Sequence, residues 1–363
     1  LVGAKVTASK GKISAKRLLP VARAAGYEGS DRNFRRLVAD VLAGAGLTEI
    51  WSAPFVGDAR HTALGWAADE ARARTVPLAN PLSDEAPLMR ISVLSTMVDA
   101  LVRNVARGSK DVGLFEIGLV VARDGEQTSA PTEDVGVQPS PEALAAIHRA
   151  VPRQPRHLAI LLAGDRDRAG WWGEGRPADV SDVLGLVRSV ADALAVPVVL
   201  SGSADVMPFH PGRCAAISLA DGTLVGHAGE LHPKVVAALG LPSRTVAAEL
   251  DLDVLIAASE DPVAARTLVT SPAAYTDLAV VVDEAVTAGS LEASLATGAG
   301  EMPESITLFD VYRGDQVGPG RKSLAYRLAF RAPDRTLRTE EVSALRDAAL
   351  ARAAVDLGAT QRT

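Results

Sequence analysis

A single cysteine, Cys214, occurs in 363 residues. No disulfide can close within the chain, and a cysteine-based zinc cluster is excluded. The simplest setting is a reducing cytoplasm. Aromatic residues make up only 4% of the sequence. The core should therefore be aliphatic, and base-stacking platforms should be scarce. No stretch reaches the roughly 18 consecutive apolar residues of a membrane-spanning helix. Residues 1–20 carry Lys5, Lys10, Lys12, Lys16 and Arg17 with no apolar run between them, so no signal peptide is expected. There is no Gly-x-Ser-x-Gly elbow, and Cys214 has no neighbouring base to activate it as a nucleophile. An overall charge of −6 excludes a surface that attracts nucleic acid everywhere. Any RNA contact must be local.

Hydrophobic residues amount to 48%, enough for a real core. The length suits two or three domains at about 100–200 residues each. Residues 1–30 are Lys-rich and read as a linker or the tail of an upstream domain, and the start at Leu1 suggests a piece of a longer chain. The spacing of Phe34, Leu37, Val38, Val41 and Leu42 predicts a helix over 31–46, and a strand over 47–54 follows. A helix is expected over 88–107, a strand over 112–121 and a surface excursion over 122–152. Strands and helices then alternate: strand 157–162, helix 179–195, strands near 197–201, 214–219 and 223–228, helix 233–239 and strand 247–255. A linker at 258–270 leads to strand 277–283, helix 288–297, strands 305–312 and 322–331, helix 339–357 and a short last strand. That order is the ferredoxin-like βαββαβ pattern.

The sharpest signal is basic. Seven Lys and Arg lie between Arg313 and Arg338 (Arg313, Arg321, Lys322, Arg327, Arg331, Arg335, Arg338) against two acids, a local charge of +5. Along 322–331, alternation sends Leu324, Tyr326, Leu328 and Phe330 to a core. Ser323, Ala325, Arg327, Ala329 and Arg331 then form a flat outer face suited to phosphate contacts. A solvated, ion-paired face is the bland alternative. Gly318-Pro319-Gly320-Arg321-Lys322-Ser323 resembles a phosphate loop only superficially, because it lies between two strands; a hairpin turn explains it. Glu249, Asp251 and Asp253 would share one strand face, where a solvated or paired face is commoner than a cation site. His210, His227 and His232 sit in turn-like sequence and fit no zinc spacing.

Several segments, in order, resemble the beta subunit of bacterial phenylalanyl-tRNA synthetase, of actinobacterial type given the Ala/Arg/Val bias. They are Asn80-Pro81-Leu82-Ser83-Asp84-Glu85 with Leu88-Met89-Arg90, Phe115-Glu116-Ile117-Gly118, His210-Pro211-Gly212-Arg213-Cys214-Ala215, Gly229-Glu230-Leu231-His232-Pro233 and Glu249-Leu250-Asp251-Leu252-Asp253. Phe309-Asp310-Val311-Tyr312, Lys322-Ser323-Leu324-Ala325-Tyr326 and Asp334-Arg335-Thr336-Leu337 complete the set. Thr276-Asp277 departs from the Arg-Asp usual in the family.

The resemblance implies an α+β chain. Residues 31–257 would be a degenerate class II aminoacyl-tRNA synthetase-like antiparallel sheet with helices. Residues 271–363 would be a ferredoxin-like anticodon-binding domain. It implies a role in the ATP-dependent charging of tRNA with phenylalanine, as scaffold for a catalytic alpha subunit, beside a second beta subunit and tRNA(Phe), with no membrane. ATP and Mg²⁺ would serve the complex, and this chain would bind no cofactor, metal or catalytic centre. The strand carrying Phe115-Glu116-Ile117-Gly118 has no arginine to grip a nucleotide. RNA contact is expected at Arg321, Lys322, Arg327, Arg331, Arg335 and Arg338. A structural module without RNA contact and a stand-alone ligase-like enzyme are the alternatives. The apolar helices 31–46 and 88–107 are expected to dock on another subunit.

Overall fold

The computed structural model describes residues 32–121, 123, 132, 136, 138–259 and 269–362. The expected N-terminal linker and most of the linker at 258–270 lie outside the described residues. The chain divides into two compact units, Leu1–Val263 and Ala264–Thr363.

In the first unit the elements are α1 (Arg32–Gly44), β1 (Thr48–Glu49), β2 (Phe55–Val56), α2 (Asp58–Ala63), α3 (Ala68–Arg74), β3 (Leu88–Met89), α4 (Leu94–Ala106) and β4 (Val112–Leu119). Then follow α5 (Pro141–Ala150), β5 (Arg156–Ala163), β6 (Asp165–Asp167), β7 (Arg176–Pro177), α6 (Val180–Ala193), β8 (Val198–Gly202), β9 (Phe209–Leu219), β10 (Leu224–Leu231), α7 (Pro233–Leu239), β11 (Val246–Asp251) and α8 (Leu252–Ala258). Seven strands form one sheet in the order β1-β4-β5-β11-β10-β9-β8. Its pairs are antiparallel except β1 with β4.

The sheet is buried on both faces, which is why β5 reads as an unbroken apolar run. Leu158, Ile160 and Leu162 point to a core shared with α1, α6 and α8. Ala159, Leu161 and Ala163 point to the opposite core, built with α4. The apolar residues of α1 and α4 are therefore largely spent inside the unit: Val38, Leu42, Met97 and Leu101 are fully covered. The expectation that these two helices offer a surplus apolar surface for docking is corrected by this packing.

Local chemistry explains the shifted boundaries. The expected strand 247–255 ends at Asp251, whose side chain accepts from the amides of Asp253 (3.0 Å) and Val254 (3.1 Å) and starts α8. Glu249, Asp251 and Asp253 therefore do not share a strand face. Only 94–106 of the expected helix 88–107 is helical; Leu88 and Met89 pair with Val56 and Phe55. Within the expected excursion, Ser140-Pro141 opens α5: the Ser140 hydroxyl accepts from the Ala143 amide at 3.1 Å.

The second unit runs β12 (Ala274–Asp283), α9 (Ala288–Ala299), β13 (Pro303–Tyr312), a 3₁₀ turn (Asp315–Val317), β14 (Arg321–Phe330), α10 (Thr339–Leu357) and β15 (Thr360–Gln361). This is the βαββαβ order, with the sheet arranged β13-β14-β12-β15. Leu324, Tyr326, Leu328 and Phe330 join Leu278, Val280 and Val282 in one core with α9 and α10. Gly298 lets those helices touch, since a Cβ there would lie 2.6 Å from Arg352 Cβ. The Gly318-Pro319-Gly320 stretch is the expected turn, with positive φ of 82° at Gly318 and 73° at Gly320.

A candidate nucleic-acid interface on an open sheet face

Both helices of the second unit cover one face of its sheet, so the other is open. Register places Tyr275, Asp277 and Ala279 of β12 beside Ala329, Arg327 and Ala325 of β14. On the other side of β14, Thr307, Asp310 and Tyr312 stand opposite Arg327, Ala325 and Ser323. A register shift between Leu308 and Asp310 adds Phe309 to this face, where the Arg327 guanidinium lies 5.5 Å from its ring centroid. Tyr275 is 67% and Phe309 54% exposed. A depression of about 330 Å³ is lined by Tyr275, Thr276, Asp277 and Arg327. The scarcity of aromatics had suggested few stacking platforms. Three of the ten Phe and Tyr residues of the chain nevertheless meet on this face.

The basic residues behave differently from the expected phosphate comb. Arg327 forms a two-pronged pair with Asp277 at 2.8 and 2.9 Å. That hydrogen bond holds the Asp277 carboxyl below its usual range. Asp277, which follows the departing Thr276, thus supplies the partner of Arg327. Arg331 pairs with Glu304 at 2.9 Å and donates to the Ser271 carbonyl. Lys322 is buried and does not belong to the open face; its Nζ donates to the Glu284 carbonyl at 2.7 Å. Arg335 pairs with Glu341 at 2.9 Å, and the Arg338 amide donates to the same carboxylate, so both lie at the start of α10, off the sheet. Arg321 borders the face beside Thr360. Ser323, Ala325 and Ala329 are buried.

The first unit holds two polar clusters. Arg90 and Glu116 are both buried, at 2% and 0% exposed, and pair at 2.8 Å. Arg90 also donates to Thr96 (2.8 Å), Ser52 (3.0 Å) and the Leu119 carbonyl (2.9 Å), and Ser52 donates to Glu116 at 2.6 Å. A side chain at Gly118 would collide with this guanidinium. Glu116 is thus committed to internal pairing on the strand that lacks a nucleotide-gripping arginine. In the second cluster Glu249 accepts from the Val93 amide at 2.9 Å, from Ser92, and from His157 at 2.8 Å. Burial opposes the charged forms of both groups, yet their mutual hydrogen bond wins, so the His157 pKa is raised and that of Glu249 lowered.

His210 and His232 fix turns, accepting from the Gly212 amide (3.0 Å) and the Lys234 amide (3.1 Å). Burial pushes the Cys214 thiol up to about 11, the opposite of an activated nucleophile. No group of three or more His, Cys, Asp or Glu among the described residues could hold a metal ion. No described helix is long and apolar enough to cross a membrane.

Fold and site define an α+β protein whose second unit is a ferredoxin-fold anticodon-binding domain: residues 270–362 match the family model of that description. The model described as "Phenylalanyl tRNA synthetase beta chain CLM domain" matches residues 16–252, and the chain belongs to the phenylalanyl-tRNA synthetase beta chain family. It is 48% identical over 335 residues to the phenylalanine–tRNA ligase beta subunit of Thermobifida fusca, a match covering 91% of this chain and 40% of that protein. The Streptomyces avermitilis beta subunit is 47% identical over 335 residues (92% and 40%). That of Cutibacterium acnes is 42% identical over 346 residues (95% and 41%). The chain spans about two fifths of the length of these relatives.

Proposed function

We propose that this chain is a portion of a phenylalanine–tRNA ligase beta subunit that serves ATP-dependent charging of tRNA with phenylalanine in two ways. Its first unit is a scaffold for a catalytic alpha subunit, and its second unit binds tRNA near the anticodon through the open sheet face. One observation carries the RNA reading: Tyr275 and Phe309 stand exposed on that face, with Arg327 over the Phe309 ring. Unpaired bases stack on such side chains, and each stacked base contributes about 1–3 kcal/mol. Arg327 anchors the patch through Asp277, and its guanidinium extends the stacking surface. The exposure of these groups supports RNA contact over a purely structural module. Chemistry on this chain is disfavoured by the commitment of Glu116 to Arg90 and by the raised Cys214 thiol. ATP and Mg²⁺ are accordingly assigned to the alpha subunit.

The test is tRNA binding by the assembled ligase carrying Tyr275→Ala with Phe309→Ala. Losing one or two stacks should weaken binding by about 1–3 kcal/mol per base, with the melting of the unit retained. Unchanged affinity in the folded double variant rejects the assignment.

A further inference from the structure

Arg362 stands in no motif, yet it lies across the open face. Its backbone amide donates to the Ala279 carbonyl on β12 at 2.9 Å, which extends the β15 edge by one residue. Its guanidinium lies 4.4 Å from the centroid of the Tyr312 ring, on the strand at the far edge of the sheet. The row of β12 and β14 level with the Arg362 backbone is Ala279 facing Ala325. Those two residues are small, so a long side chain can lie flat above them. Its Nη2 donates to the Gln316 side-chain oxygen at 2.6 Å, a neutral partner.

Arg321 approaches the same segment. Its Nη2 reaches the Thr360 hydroxyl and the Val281 carbonyl only at 3.5 Å each, and its buried Nε has no partner. Among the described residues of this unit, every other Lys and Arg except Arg338 pairs with a carboxylate. Arg338 sits at the start of α10, away from the sheet.

An arginine already neutralised by a carboxylate brings little net charge with which to displace the counterions condensed on a polyanion. One that contacts only neutral groups keeps its full charge available. Resting on the reading that this face binds RNA, we propose that Arg321 and Arg362 are the phosphate-contacting cations of the face, while Arg327 and Arg331 shape it without entering the electrostatic balance. The ligand feature is the backbone phosphate of a single-stranded segment, which the Arg362 guanidinium can meet from its seat on Tyr312. Tyr312 and Arg321 lie toward the Ser323 end of β14 and Tyr275 toward the Ala329 end, so these contacts fall beside the stacking positions of Phe309 and Tyr275, not on top of them.

The experiment measures the affinity of the assembled ligase for tRNA over a range of salt concentrations. Each single-strand phosphate contact contributes a slope of about −0.7 in log affinity against log salt. Arg321→Gln with Arg362→Gln should flatten the slope by about 1.4, two such contacts. Arg362→Lys, which keeps the charge but loses the planar stack, should retain the slope while weakening binding. Arg327→Gln should leave the slope unchanged. A double variant that melts normally and keeps the wild-type slope overturns the assignment, as does a slope loss confined to Arg327→Gln. Wild-type binding with no dependence on the open face would instead reject the RNA reading itself, which the Tyr275/Phe309 variant reports separately.

Discussion

Arg90 and Glu116 illustrate how a charged pair persists inside the first unit. Arg90 Nε and Nη1 and both Glu116 carboxylate oxygens meet specific partners, so neither charge is left bare. Removing one member leaves the other buried and uncompensated, which costs about 3–5 kcal/mol. Glu116→Ala should therefore lower the denaturation midpoint of the first unit steeply, and replacing both residues by apolar ones should cost much less. Chemical denaturation of the two variants compares these outcomes. The Glu249–His157 contact makes a second prediction, about pH. Folding lowers the Glu249 pKa, so its contribution is present above the ordinary 4.5 and is lost as pH falls through the lowered value. Folding raises the His157 pKa, so its contribution is full below 6.5 and fades as pH rises through the raised value. The contact should stabilise most between those two ordinary values. His157→Gln should remove the alkaline fade and leave the acid loss, read from melting midpoints across pH.

At the scale of elements, Glu249 acts on a helix far from it in sequence. α4 has no side-chain cap of its own and no acid in its first turn. Glu249, reaching from β11, accepts from the Val93 and Leu94 amides instead, at 2.9 and 3.4 Å. It supplies the negative charge that a helix N-terminus favours. In the second unit, α9 and α10 approach closely at Gly298. Gly298→Val would drive a side chain into Arg352 and Ala348 and should cost about 1–3 kcal/mol as overpacking. A lowered melting midpoint of the second unit, with the first unit unchanged, is the expected result. A midpoint that does not move would mean that the helices separate freely at this crossing.

At the scale of the whole molecule, the first unit exposes apolar side chains away from its helices. Trp51 is 92% exposed just after the two-residue edge strand β1, and Trp171 is 94% exposed at the tip between β6 and β7. The tip is well made: Gly170 and Gly173 bond each other's backbones at 3.0 and 3.1 Å, and Trp172 packs over Gly170. Exposed tryptophans of this kind are the side chains that anchor protein interfaces. Docking of the alpha subunit is therefore expected here, and Trp51→Ala with Trp171→Ala should weaken its capture by the chain without unfolding it. Binding equal to wild type would move the interface elsewhere. The chain alone should catalyse no phenylalanine-dependent pyrophosphate exchange; measurable exchange without an alpha subunit would refute the proposed scaffold role.

Strong periodic segments were legible in the sequence because local patterning decides them. The apolar run of β5, the alternation in β14 and the helix expected over 31–46 follow from which residues must leave water. The turn chemistry of His232-Pro233 and Gly318-Pro319-Gly320 is equally local. So is the family resemblance, since it rests on the order of short segments. Tertiary structure decided the rest, because each missing fact depends on two distant residues meeting. That Arg327 is neutralised depends on Asp277 lying across the ladder from it, and that Lys322 is buried depends on Glu284. That Asp251 caps a helix, ending the strand face expected there, depended on whether the chain turned at that point. Arg362 gains its position only because β15 adds to the sheet edge and two alanines leave room above the face. Net charge along a strand is a property of sequence. Whether that charge is free to meet a phosphate is a property of its neighbours in space.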